Sequence, residues 1–324
     1  MSSMSPGERF EGRSEDHRPV LLGQVCRLLE PARGGILVDA TVGYGGHAEA
    51  LLEAGGSGIR LIGIDCDGQA ISAALKRLDP FHQQVTLIRG NFSALIPLLA
   101  EAGVSSVQGI LLDLGLSSPL VEDGKRGFSF RRSGPLDMRM DERQKRKAED
   151  LVRDLSAEEL ADILSTYGEE RYARQIARDI VLARQKRPIT RTDELAALVA
   201  STIPRKGWPR GRHPATRTFQ ALRIAVNQEL DSLALALNAA VEVLAPEGRL
   251  GVISYHSLED RIVKQTFRQF AMGCQCPPSI AVCVCGGQSI LEILTKRPIT
   301  PDEEEVHLNP RARSAKFRAA RRIP

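Results

Sequence analysis

A chain of 324 residues can bury a full core, enough for one large domain or two ordinary ones. Hydrophobic residues at 42% and charged residues at 26% give the profile of a soluble globular protein, and no apolar run reaches the roughly 18–20 residues that a membrane span needs. The net charge of +4 excludes bulk charge as a nucleic-acid signal, so only its distribution is informative.

The first 16 residues are polar and charged with no apolar signal core, and are expected to be a disordered tail on a cytoplasmic protein. Residues 34–56, "GGILVDATVGYGGHAEALLEAGG", read as a short buried strand, a glycine-rich turn and a helix ended by glycines. Further apolar strands follow at "IRLIGIDCD" (59–67), "QVTLIRGNF" (84–92) and "VQGILLDLG" (107–115), with helical stretches between them. This βαβ spacing predicts a Rossmann-like α/β fold, a parallel sheet with helices on both faces. The pattern stops after Pro119 and gives way to a loop rich in glycine and arginine, then to helical text from about 150 to 203. In that text Ser156 and Glu159 are spaced as a capping box, and Ala173, Ile176, Ala177 and Ile180 form one apolar stripe. One long helix is expected from about 216 to 245, and "GRLGVISY" (248–255) returns to buried strand. The expected organisation is a main domain at 17–119 and 216–310, a helical insertion at 120–215, and a basic tail at 311–324 that holds six bases and no acid.

The turn "GYGGHA" matches G-x-G-x-x-A through Gly43, Gly45 and Ala48, and Asp65 follows about twenty residues later. Glycines let backbone approach a ligand, a helix start aims donors at it, and a carboxylate past the next strand accepts ribose hydroxyls. Dehydrogenases share this layout. Asp39 discriminates, because a carboxylate before the glycines repels a pyrophosphate but welcomes a cationic amino-acid end. S-adenosylmethionine carries a sulfonium and an ammonium and no phosphate. A third acid, Asp113, ends the fourth strand, so acids close strands one, two and four.

With these residues in view the chain resembles the bacterial ribosomal RNA small-subunit methyltransferase H family. The resemblance runs from His17 through "HRPVLL", "DATVGYGGHA", "GIDCD", "LLDLGLSSP", "RGFSF", "GPLDMRMD", "YGEERYARQIA", "HPATRTFQALRIAVNQEL", "VISYHSLEDRIVK" and "NPRARSAKFR". It implies a class I S-adenosylmethionine-dependent methyltransferase that acts on the exocyclic N4 amine of a cytidine in the decoding centre of 16S ribosomal RNA, with the RNA or the small subunit as partner and no membrane. It also implies cofactor contacts at Gly45, Gly46 and His47, the ribose at Asp65, the adenine by Phe92, and Asp113 closing the site. Leu120 stands where the family usually has glutamine, so a side-chain amide contact there is lost or replaced by backbone.

An amine conjugated to a pyrimidine ring needs acceptors that hold its hydrogens and take up a proton. Asp113 is the carboxylate placed for this, and Ser117 and Ser118 are candidates to orient the amine. In "VISYHSLEDR" (252–261), Ser257 is expected to cap a helix with Asp260 as its third residue and Glu259 in its first turn, leaving Tyr255 and His256 to point at the crevice mouth beside Asp113, with His256 as a candidate contact to the cytidine. The helical insertion at 120–215 is expected to be the domain that holds the RNA, and within it "RKGWPRGRH" (205–213) nominates Trp208, Arg210 and Arg212. Cys274, Cys276, Cys283 and Cys285 have a spacing that four thiolates around a structural zinc would accept, though C-x-C is less usual than C-x-x-C. Nothing in the sequence fixes the oligomeric state.

Overall fold

The computed structural model describes residues 19–209, 211–273 and 287–324. The chain forms two compact units, one from Met1–Gly115 with Leu230–Pro324 and the other from Leu116–Glu229. The four cysteines of the candidate zinc cluster, Arg210 and the N-terminal tail lie outside the described residues. Among the described residues no helix is long and apolar enough to cross a membrane.

In chain order the first unit opens with α1 (Leu22–Leu29), β1 (Gly35–Asp39), α2 (Gly46–Gly55), β2 (Ile59–Asp65), α3 (Gly68–Arg77), β3 (Val85–Arg89), α4 (Leu95–Glu101) and β4 (Val107–Asp113). The second unit holds α5 (Ser118–Glu122), α6 (Ala148–Asp154), α7 (Ala157–Gly168), α8 (Ala173–Lys186), α9 (Thr192–Thr202) and α10 (Thr216–Asn227). The first unit resumes within α11 (Glu229–Val243) and continues through β5 (Leu244–Ser254), α12 (Ser257–Ala271), β6 (Leu291–Ile293), α13 (Glu303–Leu308) and β7 (Lys316–Arg322).

The sheet has the order β3-β2-β1-β4-β5-β7-β6, with β1 to β5 parallel and β7 antiparallel to both of its neighbours. Consecutive residues along each strand supply opposite faces. Val38, Ile62, Ile110 and Val252 pack with Leu95 of α4, Leu237 of α11 and Phe267 of α12. Leu37, Leu61, Leu111 and Ile253 pack on the other side with Val25 of α1, Leu51 of α2, Ala74 of α3 and Leu78 just after it. Strand order reverses between β1 and β4, and in such sheets the crevice at the carboxyl ends of those strands is the ligand site.

Three expectations are corrected here. The basic tail is strand β7, with Phe317 and Ala319 fully buried. Its cations are used internally: Arg318 pairs with Asp260 at 2.6 Å and Arg321 with Glu247 at 2.6 Å, while Arg322 donates to the carbonyls of Val241, Glu242 and Leu244. The expected long helix is two, α10 and α11, divided at Gln228, whose φ of 49° is left-handed. The helical unit accordingly begins at Leu116 and includes α10, whereas the expected insertion ended at 215.

The helical unit has its own core, in which Ala173, Ile176, Ala177 and Ile180 of α8 face Leu160 and Leu164 of α7 and Leu222 of α10. The Ser156–Glu159 capping box forms as its spacing requires, with the Ser156 amide donating to Glu159 Oε2 at 2.8 Å. "RGFSF" and "GPLDMRMD" turn out to be one knot of backbone. Gly127 has a φ of +71°, and a methyl built on it would strike the Pro135 carbonyl and come within 2.8 Å of the Asp137 nitrogen. Asp137 and Arg139 form a two-pronged ion pair (2.7 and 2.8 Å), and Arg139 Nη1 also donates to the Glu142 and Gln144 carbonyls. This pair ties the loop together. Arg139 and the nearby Lys147 ammonium hold the Asp137 carboxyl below its usual range, against the opposing effect of its partial burial. Asn227 closes α10 onto the same loop, accepting from the Met140 amide at 2.8 Å and donating to the Met138 carbonyl at 2.8 Å. Gly127→Ala combines an unfavourable backbone angle with a backbone clash, so it should destabilise the helical unit by about 2 kcal/mol or more. Thermal unfolding followed by circular dichroism is the check, and an unchanged midpoint would refute the knot.

Candidate functional site

The acids that close β1, β2 and β4 are built into backbone. Asp39 is 1% exposed and accepts the Thr41 amide at 3.2 Å. Thr41 turns its Oγ1 back to accept the Asp113 amide at 2.6 Å, which joins the end of β1 to the end of β4. Asp65 accepts the Gly43 amide at 2.9 Å on one oxygen and the Asp67 amide at 2.9 Å on the other. The glycine turn is thus tied to the acid that ends β2. Gly43 (φ +51°) and Gly45 (φ +81°) occupy left-handed backbone, where a side chain would be strained. Gly46 has a different reason: a methyl there would lie 2.6 Å from Pro19 Cγ, so its small size lets the N-terminal segment lie on the turn.

Burial in the crevice raises the Asp39 carboxyl to about 8; the Thr41 amide opposes this, and the charges of Asp113 and Asp65 add to it. Asp65 is raised to about 6, also by burial, with the Asp67 and Gly43 amides working against it. Carboxyl groups held this far above the usual range lie next to one another because the fold makes them converge. A cationic ligand relieves that cost and a pyrophosphate increases it. The donor set therefore fits S-adenosylmethionine, which brings a sulfonium and an ammonium to the acids and two ribose hydroxyls to the remaining lone pairs of Asp65.

His47 is 6% exposed, and its ring is engaged on both sides. Nε2 lies 2.9 Å from the Val20 carbonyl, and Nδ1 is 3.6 Å from Asp113 Oδ2. With Nε2–H donated to Val20, the contact to Asp113 is attractive only when the ring carries both protons. The imidazole lies between the N-terminal segment and Asp113. Phe92 follows β3 in a short 3₁₀ turn capped by Asn91, half-buried against the core beside the β2–β3 pair.

Tyr255 is the residue that sequence reasoning underused. Its hydroxyl donates to Asp113 Oδ1 at 2.9 Å, and a methyl on Gly115 would fall 2.9 Å from its ring. Burial and the Asp113 carboxylate push its phenol well above the usual range, so the hydroxyl stays a donor. An aromatic just past β5 and a glycine two residues past Asp113 were the available signals, but only the parallel β4–β5 register brings them together.

The serine–histidine expectations change. The cap of α12 is His256, not Ser257: His256 Nδ1 accepts the Glu259 amide at 3.4 Å, and Glu259 Oε2 accepts the Tyr255 and His256 amides at 2.7 and 3.2 Å. The other ring nitrogen is 2.9 Å from Glu259 Oε1, close enough for an ion pair but not aligned as a hydrogen bond. Both nitrogens of His256 thus face its own helix. Asp260, expected in the cap, instead pairs with Arg318 and Lys316. In the helical unit, Ser117 caps α5 through the Leu120 amide at 3.4 Å, and the Leu120 side chain is buried. Ser118 lies in the first turn of that helix. Trp208 is half-buried, with its indole N–H on the Ile203 carbonyl at 3.0 Å and the Arg205 guanidinium 4.1 Å from its ring centre. It pins the loop. Arg212 is exposed.

The family model described as the MraW methylase family matches residues 14–323. A protein of Geobacter sulfurreducens described as ribosomal RNA small subunit methyltransferase H is 51% identical over 307 residues, covering 95% of this chain and 99% of its own. Proteins of the same description from Trichlorobacter lovleyi and Geotalea uraniireducens are 50% and 49% identical, each over 95% of this chain and 98% of their own.

A carboxyl group that holds a proton up to about pH 8 must release it to meet a cation. S-adenosylmethionine affinity should therefore rise between pH 6 and 7.5, by up to about tenfold per pH unit for one proton released. Calorimetry in buffers of different ionisation enthalpy reads both the slope and the proton, and Asp39→Asn should flatten the slope. A wild-type affinity independent of pH across this window would remove Asp39 from the cofactor's cationic end.

Proposed function

The chain belongs to the MraW methylase family and is an S-adenosylmethionine-dependent methyltransferase; from that premise we propose that it methylates the exocyclic N4 amine of a cytidine in the decoding centre of 16S ribosomal RNA. The description shared by its relatives supports small-subunit ribosomal RNA as the substrate. The amine as target is supported by one observation above all: the group at the end of β4 is an acid, Asp113, fixed by two donors on one oxygen. The Tyr255 hydroxyl and the Gly115 amide (3.3 Å) both point at Oδ1, and His47 stands behind Oδ2.

S-adenosylmethionine supplies a methyl group already activated on its sulfonium. The chain's work is alignment and proton handling. Asp65 holds the ribose, Phe92 flanks the adenine, the backbone at Gly45, Gly46 and His47 meets the ligand, and Asp39 faces its cationic end. Asp113 accepts an N–H of the cytosine amine, which turns the nitrogen lone pair out of conjugation and toward the methyl carbon. As the carbon–nitrogen bond forms and the sulfur–carbon bond breaks, a neutral thioether leaves and the amine loses one proton to Asp113 or through it to water. Ser117 contributes by fixing the start of α5, and His256 by fixing the start of α12, which holds Tyr255 in place through Glu259.

The decisive experiment incubates small-subunit RNA from cells lacking the protein with the purified chain and isotopically labelled S-adenosylmethionine, then maps the label by mass spectrometry. One methyl on a cytidine N4 in the decoding centre is expected. Label on a ring carbon, a ribose oxygen or another base would overturn the reading. Tyr255→Phe should lower turnover about tenfold while cofactor affinity holds, because it removes one hydrogen bond to a charged group worth about 1.5 kcal/mol. Unchanged turnover would show that Asp113 keeps its position without the phenol.

A further inference from the structure

The helical unit treats its arginines in two ways. Several are consumed by carboxylates: Arg139 by Asp137, Arg143 by Asp141, Arg153 by Asp154, Arg187 by Glu194 and Arg223 by Glu229. Arg171, Arg174, Arg178 and Lys206 are exposed and have no carboxylate partner among the described residues. Arg174 and Arg178 are four apart and share one face of α8, opposite its buried stripe. Arg171 and Arg174 also crowd the start of that helix, where its dipole disfavours cations and no acid lies in the first turn. The acids nearby face elsewhere: Glu170 is buried and takes the Tyr172 amide at 3.0 Å, and Asp179 takes the Thr202 hydroxyl at 2.6 Å. Glu169, at the preceding turn, is exposed.

Three stretches distant in sequence meet at this turn. The backbone of Gly207 lies against Tyr172, since a methyl on Gly207 would sit 2.8 Å from the tyrosine ring. The stretch that carries Arg205 and Lys206 thus packs against the Tyr172 side chain, one residue past Arg171. Arg205 is held in place over Trp208, whose indole is bonded to the chain and unavailable to wander. Arg217 reaches the same turn from α10, with Nη1 on the Glu169 carbonyl at 2.9 Å, and a methyl on Gly168 would lie 2.7 Å from the Arg217 carbonyl.

We infer that this turn of the helical unit is a phosphate-tracking surface for the substrate RNA, carried by Arg171, Arg174, Arg178, Arg205, Lys206 and Arg217. The inference rests on the reading of the substrate as ribosomal RNA. The bases come from separate stretches that meet through Tyr172 and the Glu169 carbonyl, and among the described residues none of them pairs with a carboxylate, which suits a ligand with regularly spaced negative charge and no fixed sequence. Trp208 serves as the anchor of this surface, not as a platform for a stacked base.

The test uses the full chain and small-subunit RNA transcribed in vitro, with affinity measured across a range of salt concentrations. Combining Arg171→Ala, Arg174→Ala and Lys206→Ala should weaken binding at least tenfold near 0.1 M salt and reduce the slope of log affinity against log salt by about 2. Lysine at positions 171 and 174, with Lys206 kept, should restore the slope. A control that removes the same charge elsewhere, Lys76→Ala with Lys264→Ala and Lys296→Ala, should change the slope less. Unfolding temperature and S-adenosylmethionine affinity should match wild type in every variant. Wild-type chain that binds no small-subunit RNA would overturn both this surface and the substrate reading beneath it. Wild-type binding with an unchanged slope in the triple variant, or an equal change in the control, would overturn the surface alone. Loss of binding to the assembled small subunit with naked RNA bound normally would also overturn it, and would point to a ribosomal protein as what the surface meets.

Discussion

The structure of the sheet-bearing unit turns on one electrostatic constraint, the convergence of Asp39, Asp65 and Asp113 at the carboxyl edge of a parallel sheet. Three carboxylates cannot all be ionised and buried side by side without a cation or a set of donors. The chain meets this by turning nearby backbone amides onto Asp39 and Asp65, and both carboxyls still sit above their ordinary range. The Thr41 hydroxyl oxygen accepts the Asp113 backbone amide and so joins the ends of β1 and β4. The glycine turn is shaped by the same need, because Gly43 must bring its amide to Asp65 in a left-handed conformation. A ligand with fixed positive charge completes the arrangement.

Around that edge the chain holds Asp113 from two directions. His47 reaches it from the glycine turn and is itself tied to Val20; Tyr255 reaches it from the end of β5 and is tied through its own amide to Glu259 of α12. The N-terminal segment takes part as well. Leu21 is fully buried in left-handed backbone, and its amide donates to Glu305 at 2.6 Å. Such a conformation in a leucine is maintained only where surrounding contacts over-determine it. The segment that covers the glycine turn is thus held from α2 and from α13.

Much of the site was legible because its residues act through local backbone. The glycines, Asp39, Asp65 and Asp113 each follow a strand whose hydrophobic pattern announces it, and strand ends in a parallel sheet converge by topology. Other features depended on partners far away in sequence. "KFRAARR" looks like a solvated basic run until Asp260, Glu247, Glu292 and the end of α11 are placed beside it. The helix expected over 216–245 carries no proline or glycine at its break, and only the Arg223–Glu229 pair and the clamp at Asn227 explain why Gln228 turns left-handed. The cap of α12 shifted by one residue because imidazole nitrogen and serine oxygen both accept an amide hydrogen, and spacing does not rank them.

The sequence by itself determined the alternation of strands and helices, the family, the glycine turn and the acids at three strand ends, since each is written in residues close together and governed by local geometry. Tertiary structure alone decided that the Tyr255 hydroxyl bonds to Asp113, that His47 lies between Val20 and Asp113, and that the terminal basic stretch is a strand. Those outcomes depend on pairwise contacts across tens to hundreds of residues. Hydrophobic periodicity and motif spacing carry no information at that range; packing does.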